Sequence, residues 1–317
     1  MRKLLTLLFL SIFSQVVFSQ FEAQLSQYMF NAAAFNPAAT SETEMINVVG
    51  QHRMSWIGIP GAGQTTAFNI NSPFKIAHTR HSAGFCFLND IWGGFKNQSI
   101  HAQYGYKMKI GKKGTLTLGT EIGFVSVGFS GDSIANHPIT IGEYHDMNGD
   151  PAIPTTAVNG MQFDAGLGAW FQAEKWYTGV SYRHLTNPTV KWGTQYTFTQ
   201  YGVLYATGGY KYSQPESNIV WKPSTLLKTD LSTWALDLSL RAEYDDKFWG
   251  GISYRLGDAV VIFAGIEIMS GLSVGYSVDV ATSKLITANY GSHELMLAYS
   301  FSFVKGGKNK HKSIRFL

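Results

Sequence analysis

Residues 234–244 read WALDLSLRAEY, so that large apolar side chains alternate with small or charged ones. The same alternation returns after short turns in residues 248–256, 260–268, 272–280 and 295–303. Runs of about ten residues with a period of two, joined by very short turns, indicate antiparallel β-strands. This stretch therefore predicts an all-β fold built on an antiparallel sheet.

The two faces of these strands differ in polarity. One face is uniformly apolar, whereas the other carries small residues and several charged side chains, which are Asp237, Arg241, Glu243, Arg255, Glu267 and Asp279. In a soluble sandwich the apolar face would pack against a second sheet. In an outer-membrane barrel it contacts lipid, and the polar face lines the lumen. The charges on a single face favour a transmembrane antiparallel β-barrel.

The N-terminus has the features of a secretory signal peptide. Met1, Arg2 and Lys3 precede a short apolar run, and Ser19 is a small residue at the expected cleavage point, so we expect residues 1–19 to be removed. The apolar run is shorter than the roughly 20 residues that a membrane-spanning helix needs. An exported chain rich in aromatic residues and glycine fits the outer membrane of a Gram-negative bacterium, where a sheet must be closed.

Charge and cysteine content exclude several classes of function. The formal charge of the whole chain is +4, but without Arg2, Lys3 and the five basic residues of the tail the body carries −3. That balance gives no nucleic-acid footprint. Cys86 is the single cysteine, which excludes an intramolecular disulfide and a cysteine-based zinc site. The nine histidines show no paired ligand spacing, so we expect no cofactor.

The chain divides into four regions. The signal peptide, residues 1–19, is followed by residues 20–44, which do not alternate and contain the turn signal Asn36-Pro37. We interpret residues 20–44 either as a periplasmic lead-in or as a segment inside the lumen. The barrel is expected over residues 45–303, and residues 304–317 form a basic periplasmic tail.

The barrel region contains about fourteen strand-like runs, an even number, as single-chain bacterial barrels have. The runs are residues 45–57, 64–76, 81–91, 97–110, 114–129, 161–174, 176–184, 201–213, 218–229, 233–244, 247–256, 258–268, 271–280 and 293–303. Tight turns fall on one side of this arrangement. The long connections, at about 130–160, 185–200 and 281–292, fall on the other side. We therefore expect periplasmic termini and extracellular long loops.

Two residue types carry further expectations about the strands. Pro223 lies inside a run and cannot donate a ladder hydrogen bond, so it predicts a strand end or a bulge. Lumenal glycines suggest backbone kinks or the close approach of a plug. The tryptophans mostly lie near strand ends, which predicts girdles at the membrane interfaces; they are Trp56, Trp92, Trp170, Trp176, Trp192, Trp221, Trp234 and Trp249.

The lumen is expected to hold charges of both signs. They are Arg53, Glu121, Arg183, Arg241, Glu243, Arg255, Glu267 and Asp279. Buried charges have to be paired, so a salt-bridge network that fills the barrel is one interpretation, and a conducting pore is the alternative.

An enzymatic site finds little support in the sequence. Ser181 and His184 are close along the chain, as in an outer-membrane Ser–His hydrolase, but positions i and i+3 on a strand face opposite sides. Residues 146–150 resemble the start of a calcium loop, yet Pro151 and Ala157 replace the required Gly and Glu. A solvated turn is the simpler interpretation of that loop.

Ordered motifs along the mature chain resemble the PorP/SprF family of Bacteroidetes outer-membrane proteins. The first are Gln27-Tyr28-Met29-Phe30-Asn31, Asn36-Pro37-Ala38, and Arg53 with Trp56 and Gly58. The next are Ser181-Tyr182-Arg183-His184-Leu185 and Lys222-Pro223-Ser224 with Leu227-Lys228. The last are Tyr254-Arg255, Gly275-Tyr276-Ser277-Val278-Asp279 and Gly291-Ser292-His293-Glu294-Leu295. Ala32-Ala33-Ala34 and the long loop at 136–159 depart from the family pattern.

The resemblance implies a non-enzymatic component of type IX secretion and gliding motility. It implies periplasmic partners, namely a lipoprotein ring and a peptidoglycan-binding protein, and for some members a secreted adhesin held at the surface. The lead-in and the basic tail would make the inner contacts, and the long loops the outer ones. The first alternative function is a passive or substrate-specific porin. The second is an outer-membrane lipid hydrolase.

Overall fold

A computed structural model describes residues 22–130, 157–192 and 196–302. The expected signal peptide, the basic tail and the calcium-loop candidate at 146–150 lie outside these residues. Within the described residues no helix is long and apolar enough to cross a membrane.

The described chain is built almost entirely of β-strands. They are β1 (Ile46–Met54), β2 (Gln64–Ile76), β3 (Thr79–Trp92), β4 (Phe95–Ile110), β5 (Gly114–Phe129), β6 (Val158–Gln172), β7 (Trp176–Arg183), β8 (Thr189–Trp192), β9 (Tyr196–Thr199), β10 (Val203–Tyr210), β11 (Tyr212–Ser213), β12 (Ile219–Thr229), β13 (Trp234–Tyr244), β14 (Phe248–Arg255), β15 (Ala259–Met269), β16 (Leu272–Ala281) and β17 (Ser292–Phe301). Four short 3₁₀ helices accompany them, at Tyr28–Phe30, Ala32–Ala34, Pro37–Ser41 and Lys284–Thr287.

The strands close into one antiparallel barrel. Strands β1 to β7 and β12 to β17 pair with their sequence neighbours, β1 pairs with β17, and β10 pairs with both β7 and β12. Because β11 continues β10 and β8–β9 form a separate hairpin, the described residues make a closed barrel of 14 strands. The predicted fold class and strand number are confirmed, and the predicted boundaries differ from the observed ones by only a few residues.

Side-chain burial follows the predicted period of two. On β13, Leu238 and Leu240 are 47% and 41% exposed on the outer face, whereas Asp237 and Arg241 on the inner face are 2% and 4% exposed. The outward row is apolar because it contacts lipid in an outer-membrane barrel.

The two ends of the barrel carry connections of different length. The turns at 77–78, 111–113, 173–175, 214–218, 245–247 and 270–271 lie at the end where β1 begins and β17 ends. The longer connections join strands at the opposite end, at 55–63, 184–202, 282–291 and between Phe129 and Val158, beside short turns at 93–94, 230–233 and 256–258. Because the longer loops of bacterial barrels lie on the extracellular side, we call the end with the longer connections the extracellular end and the opposite end the periplasmic end.

Pro223 interrupts one ladder without ending its strand. The ladder between β10 and β12 stops at Ser224, and β11 resumes the pairing at Trp221. Pro223 has no N–H to donate, and the break between β10 and β11 lies opposite it. On its other edge β12 pairs with β13 without interruption, with Pro223 opposite Leu240.

The girdle prediction is wrong for three tryptophans. Trp176, Trp221 and Trp234 are exposed at strand ends as expected, but Trp170, Trp192 and Trp249 are buried inside the barrel. Trp170 and Trp249 occupy inward strand positions, where they pack with the apolar residues of the N-terminal segment. Trp192 belongs to the β8–β9 hairpin.

The β8–β9 hairpin folds into the extracellular mouth. Val190 and Trp192 pack against the inward side chains Val125, Val127 and Phe129 of β5, and the Trp192 indole N–H donates to the Val127 carbonyl at 3.0 Å. The sequence predicted only a long loop here, because a four-residue strand is too short to show a period.

We expect a charged residue on the lipid-facing side to destabilise the barrel more at the middle of the membrane than at its edge. Leu240 lies near the middle of β13, so Leu240→Arg should lower the free energy of unfolding by about 2–4 kcal/mol, and Tyr244→Arg, at the periplasmic end, by about 0–1 kcal/mol. Urea unfolding of protein folded into phosphatidylcholine vesicles measures both. Equal losses for the two variants would contradict the assigned lipid face.

Candidate functional site: the plugged lumen

Residues 22–44, which we call the plug, run through the lumen from its extracellular half to its periplasmic end. Glu22 contacts Arg183 and His184 at the extracellular end of β7. Tyr28 reaches the middle of the barrel, and the Ser41 hydroxyl is hydrogen-bonded to the Thr117 hydroxyl near the periplasmic end of β5. The chain then turns into β1, which leads back toward the extracellular side.

Glu294 of β17 holds the upper part of the plug. Its carboxylate accepts the backbone N–H groups of Ser26 at 2.6 Å and Gln27 at 2.9 Å, and the Gln51 amide at 3.1 Å. Glu294 is fully buried. A buried carboxylate is tolerated where several donors satisfy its lone pairs, and here the plug supplies two of them.

An arginine–aspartate cluster adjoins this carboxylate. Arg53 and Arg255 both pair with Asp279, at 2.8 and 3.0 Å, and Arg255 also pairs with Asp237 at 2.9 Å. The Ser26 hydroxyl donates to Asp279 at 2.7 Å and accepts a hydrogen bond from Arg53. Removing one partner of such a buried pair leaves an uncompensated charge, so the cluster fixes both the wall and the plug.

A second cluster surrounds Glu22 at the start of the plug. Arg183 pairs with Glu121 at 2.6 Å and lies 3.8 Å from Glu22. His184 contacts Asp164 at 2.7 Å and Glu22 at 3.5 Å.

The protonation of this cluster favours an ion pair between the plug and the wall. Burial raises the pKa of Glu22, but the hydrogen bond and charge of His184 and the charge of Arg183 outweigh it and lower the pKa to about 2. Burial lowers the pKa of His184, but its contacts with Asp164 and Glu22 outweigh that and raise the pKa to about 9. Both groups are therefore charged at neutral pH.

The turn Asn36-Pro37-Ala38 rests on glycines of the barrel wall. The Asn36 side chain caps the 3₁₀ helix by accepting the Ala38 N–H at 2.9 Å, and its amide donates to the carbonyls of Ala169 at 3.2 Å and Val180 at 3.3 Å. A Cβ on Gly119 would lie 2.3 Å from the Ala38 nitrogen, and one on Gly168 would lie 2.2 Å from the Asn36 side-chain oxygen. The absence of side chains here lets the plug approach the sheet.

Apolar and aromatic side chains fill the middle of the lumen. Phe30 packs on Trp249 with ring centres 5.3 Å apart, and the Arg241 guanidinium lies 4.6 Å from the centre of the Phe30 ring. The Tyr28 hydroxyl is hydrogen-bonded to Ser224 and Ser239, both at 3.1 Å. The plug therefore closes the barrel at its middle.

The predicted lumenal charges divide into separate groups. Arg53, Arg255 and Asp279 form the first cluster, Glu121 and Arg183 join the second, and Arg241 and Glu243 form a third with Lys222, which is 3.0 Å from Glu243. Glu267 lies apart from all three groups. It is half-buried near a periplasmic turn and accepts the Gly271 N–H at 3.0 Å.

Several residues of these clusters were not among the predicted charges. Asp164, Lys222 and His101 occupy inward strand positions, so the period of two could have identified them. His101 contacts Asp164 at 2.9 Å. The sequence does not identify Glu22, because the plug residues show no alternation of apolar and polar side chains.

Half of the sixteen motif positions contact the plug or belong to it. Asn36 and Pro37 belong to it, and Arg53, His184, Ser224, Asp279 and Glu294 contact it directly, as does Lys228, which donates to the Glu22 carbonyl at 3.3 Å. Arg255 acts through Asp279.

The remaining motif positions lie on loops or on the outer face, except Ser292, which is buried at the start of β17. The Trp56 N–H donates to the Ser292 hydroxyl at 3.0 Å, and Gly291 adopts a positive φ of 89° beside it. On the outer face Tyr276 is hydrogen-bonded to His293 at 2.6 Å. Tyr254 and Pro223 also face outward.

The residues proposed for a hydrolase have other partners. The Ser181 hydroxyl donates to the Phe35 carbonyl of the plug at 2.6 Å, and His184 is bound by Asp164 and Glu22. Among the described residues, no group of three or more His, Cys, Asp or Glu side chains could hold a metal ion.

Cys86 provides a native reporter of the plug. It faces the lumen at 1% exposure and is covered by Leu25 and Ala34 of the plug. We expect Gly119→Val to dislodge the plug, at a cost of about 1–3 kcal/mol for overpacking, and to speed maleimide labelling of Cys86 roughly ten- to hundredfold. Gly50→Val is the matched control, because a Cβ on Gly50 meets nothing within 4 Å. Unchanged labelling in Gly119→Val would count against a close contact between plug and wall.

Glu294 and Glu267 offer a second matched pair. Glu294→Ala leaves two plug amides and the Gln51 side chain without their acceptor, and each unsatisfied donor costs about 1–3 kcal/mol. We expect Cys86 labelling to accelerate by about tenfold or more in this variant. Glu267→Ala should label at the wild-type rate, since Glu267 does not contact the plug. Equal rates in the two variants would exclude Glu294 as the anchor.

Comparisons with known proteins agree with the fold. Among solved structures, the Ralstonia pickettii toluene transporter TbuX is similar with a TM-score of 0.50 and 12% identity, over 87% of this chain and 93% of that chain. The Pseudomonas putida toluene transporter TodX has a TM-score of 0.49 and 10% identity, over 90% and 99% of the two chains. At such identities the likeness to TbuX shows the outer-membrane barrel fold alone.

The sequence itself identifies the family. No curated protein matches it. It matches the family described as "Type IX secretion system membrane protein PorP/SprF" over residues 17–299. Since this match covers most of the 317 residues, the protein belongs to the PorP/SprF family of type IX secretion system membrane proteins.

Proposed function

We propose that the protein is a non-enzymatic, plugged component of the type IX secretion and gliding machinery. It acts through periplasmic partners, a lipoprotein ring and a peptidoglycan-binding protein, and holds a secreted adhesin at the cell surface. Family membership supports the link to secretion, and the barrel supports an outer-membrane location. Removal of residues 1–19 by a signal peptidase belongs to the same proposal.

The filled lumen is the observation that carries this proposal. Residues 26–41 of the plug are buried, and their side chains and backbone contact strands on both halves of the barrel, from β5 and β7 to β13, β14, β16 and β17. A porin of this size conducts because its lumen contains water. A barrel closed by aromatic packing and buried ion pairs acts by presenting surfaces to other proteins, which favours the secretion component over the porin.

The surfaces left for partners are the two ends of the barrel. Most of the plug is buried. Apart from Glu44, it offers little exposed surface to a periplasmic protein. The periplasmic turns and the tail then supply the inner contacts, and the long connections supply the outer ones.

Deletion of the gene, followed by proteomics of the culture medium and the cell surface, tests the proposal. We expect type IX cargo to be lost from both fractions: loss of the whole set indicates a core component, and loss of a few adhesins indicates a dedicated partner. Re-expression of the full chain should restore export. An unchanged set of exported proteins would overturn the proposal and favour the porin.

A further inference from the structure

The periplasmic rim of the barrel carries its charges unevenly. Seven basic residues lie at the rim between β2 and β7, and we call them the basic arc: Lys75, Arg80, Lys107, Lys109, Lys112, Lys113 and Lys175. Within this arc the acidic residues are Glu44 and Glu174. Across the barrel, the turns at 214–218 and 245–247 expose Glu216, Asp245 and Asp246, with Lys247 beside them.

Strand parity directs much of the basic arc toward the mouth of the barrel. Lys75, Lys107 and Lys109 alternate with outward residues, so they share the inward face with Asn71 and Gln103. Their outward neighbours on the same strands are exposed and apolar, namely Phe74, Ile76, Tyr106 and Ile110. Charges that recognised lipid headgroups would stand on the outward face instead. The arc therefore fits a protein that approaches from the periplasm.

The basic arc also holds the lower end of the plug. Glu44 lies 3.0 Å from Arg80 and 3.4 Å from Lys107, and the Lys107 ammonium donates to the Ser41 carbonyl at 2.7 Å. The Glu44 and Arg80 side chains are 57% and 39% exposed. Solvent screens exposed ion pairs, so they contribute little to stability, and another carboxylate can replace Glu44 at small cost.

We propose that an acidic surface of a periplasmic protein docks on the basic arc, replaces Glu44 as the partner of Arg80 and Lys107, and loosens the lower end of the plug. This inference rests on the proposed function, because it names the chemistry of the periplasmic partner. The chain's own C-terminal tail is excluded as the occupant, because its five basic residues carry the same charge as the arc.

A binding assay with the full mature chain in phosphatidylcholine nanodiscs tests the docking surface. The probe is a fluorescein-labelled oligoglutamate peptide, followed by anisotropy at several salt concentrations. We expect salt-sensitive binding that the triple variant Lys75→Gln, Lys109→Gln, Lys112→Gln weakens by about tenfold or more. Glu44→Gln should tighten binding, because it frees Arg80 and Lys107 for the probe. A patch that attracts anions without involving the plug would not show this second effect.

The matched control removes the same charge from the other end of the barrel. Lys96, Lys191 and Lys284 are exposed on the extracellular side, so their triple Gln variant should bind the probe as the wild type does. Equal binding by both triple variants would overturn the proposal. The assay is repeated in nanodiscs that contain phosphatidylglycerol. If wild type and the arc variant then bind the probe equally, the arc binds anionic lipid, and the proposal is overturned.

Amide hydrogen exchange tests the link to the plug. We expect the probe to speed exchange in residues 40–44 of the wild type, whereas Ser26 and Gln27, whose N–H groups donate to Glu294, keep their protection. The Glu44→Gln variant should show fast exchange at residues 40–44 without the probe. Binding without any change in exchange would contradict the displacement of Glu44.

An experiment in cells separates this inference from the proposed function. If deletion of the gene abolishes export, the arc variant should fail to restore it, and the extracellular control variant should succeed. Full rescue by the arc variant would reject the docking surface and leave the secretion role intact. If the deletion itself changes no export, the secretion role is rejected. The nanodisc assay then still decides whether the basic arc binds an acidic surface.

Discussion

A closed barrel of 14 strands encloses more space than its own inward side chains can fill, and the rest of the structure depends on this constraint. Small barrels of about eight strands are filled by side chains, whereas those of sixteen or more leave a channel. Here the chain fills the space with its own N-terminal segment. The inward glycines, the buried tryptophans and the paired charges are the surface that this segment requires.

The plug explains why polar and apolar side chains coexist in one lumen. Backbone groups of a segment without a sheet partner must find other acceptors, and Glu294 and Asn36 meet part of that need through buried hydrogen bonds. Buried apolar and aromatic side chains around Phe30 fill the middle of the barrel. Motifs that lie far apart along the sequence therefore meet on one segment, which gives a physical reason for their occurrence in the same chain.

The sequence predicted the wall of the barrel far better than its contents. Alternation such as that of β13 assigns each residue to one face, and in the structure charged residues such as Arg53 and Asp279 are buried on the inward face. Alternation contains no information about which inward residues meet across the lumen. For this reason the sequence does not predict that the charges form separate clusters or that Glu267 lies apart from them. It also does not predict the position of Glu22. Trp249 shows the same limit: its position near a strand end predicts a place in the girdle, but its inward parity places it in the lumen.

Conductance in a planar lipid bilayer tests whether the N-terminal segment closes the lumen. We expect the mature chain to insert and stay electrically silent, and a variant lacking residues 22–41 to conduct. If the full chain conducts steadily and removal of the segment leaves the conductance unchanged, the segment does not close the lumen. The protein would then be a porin.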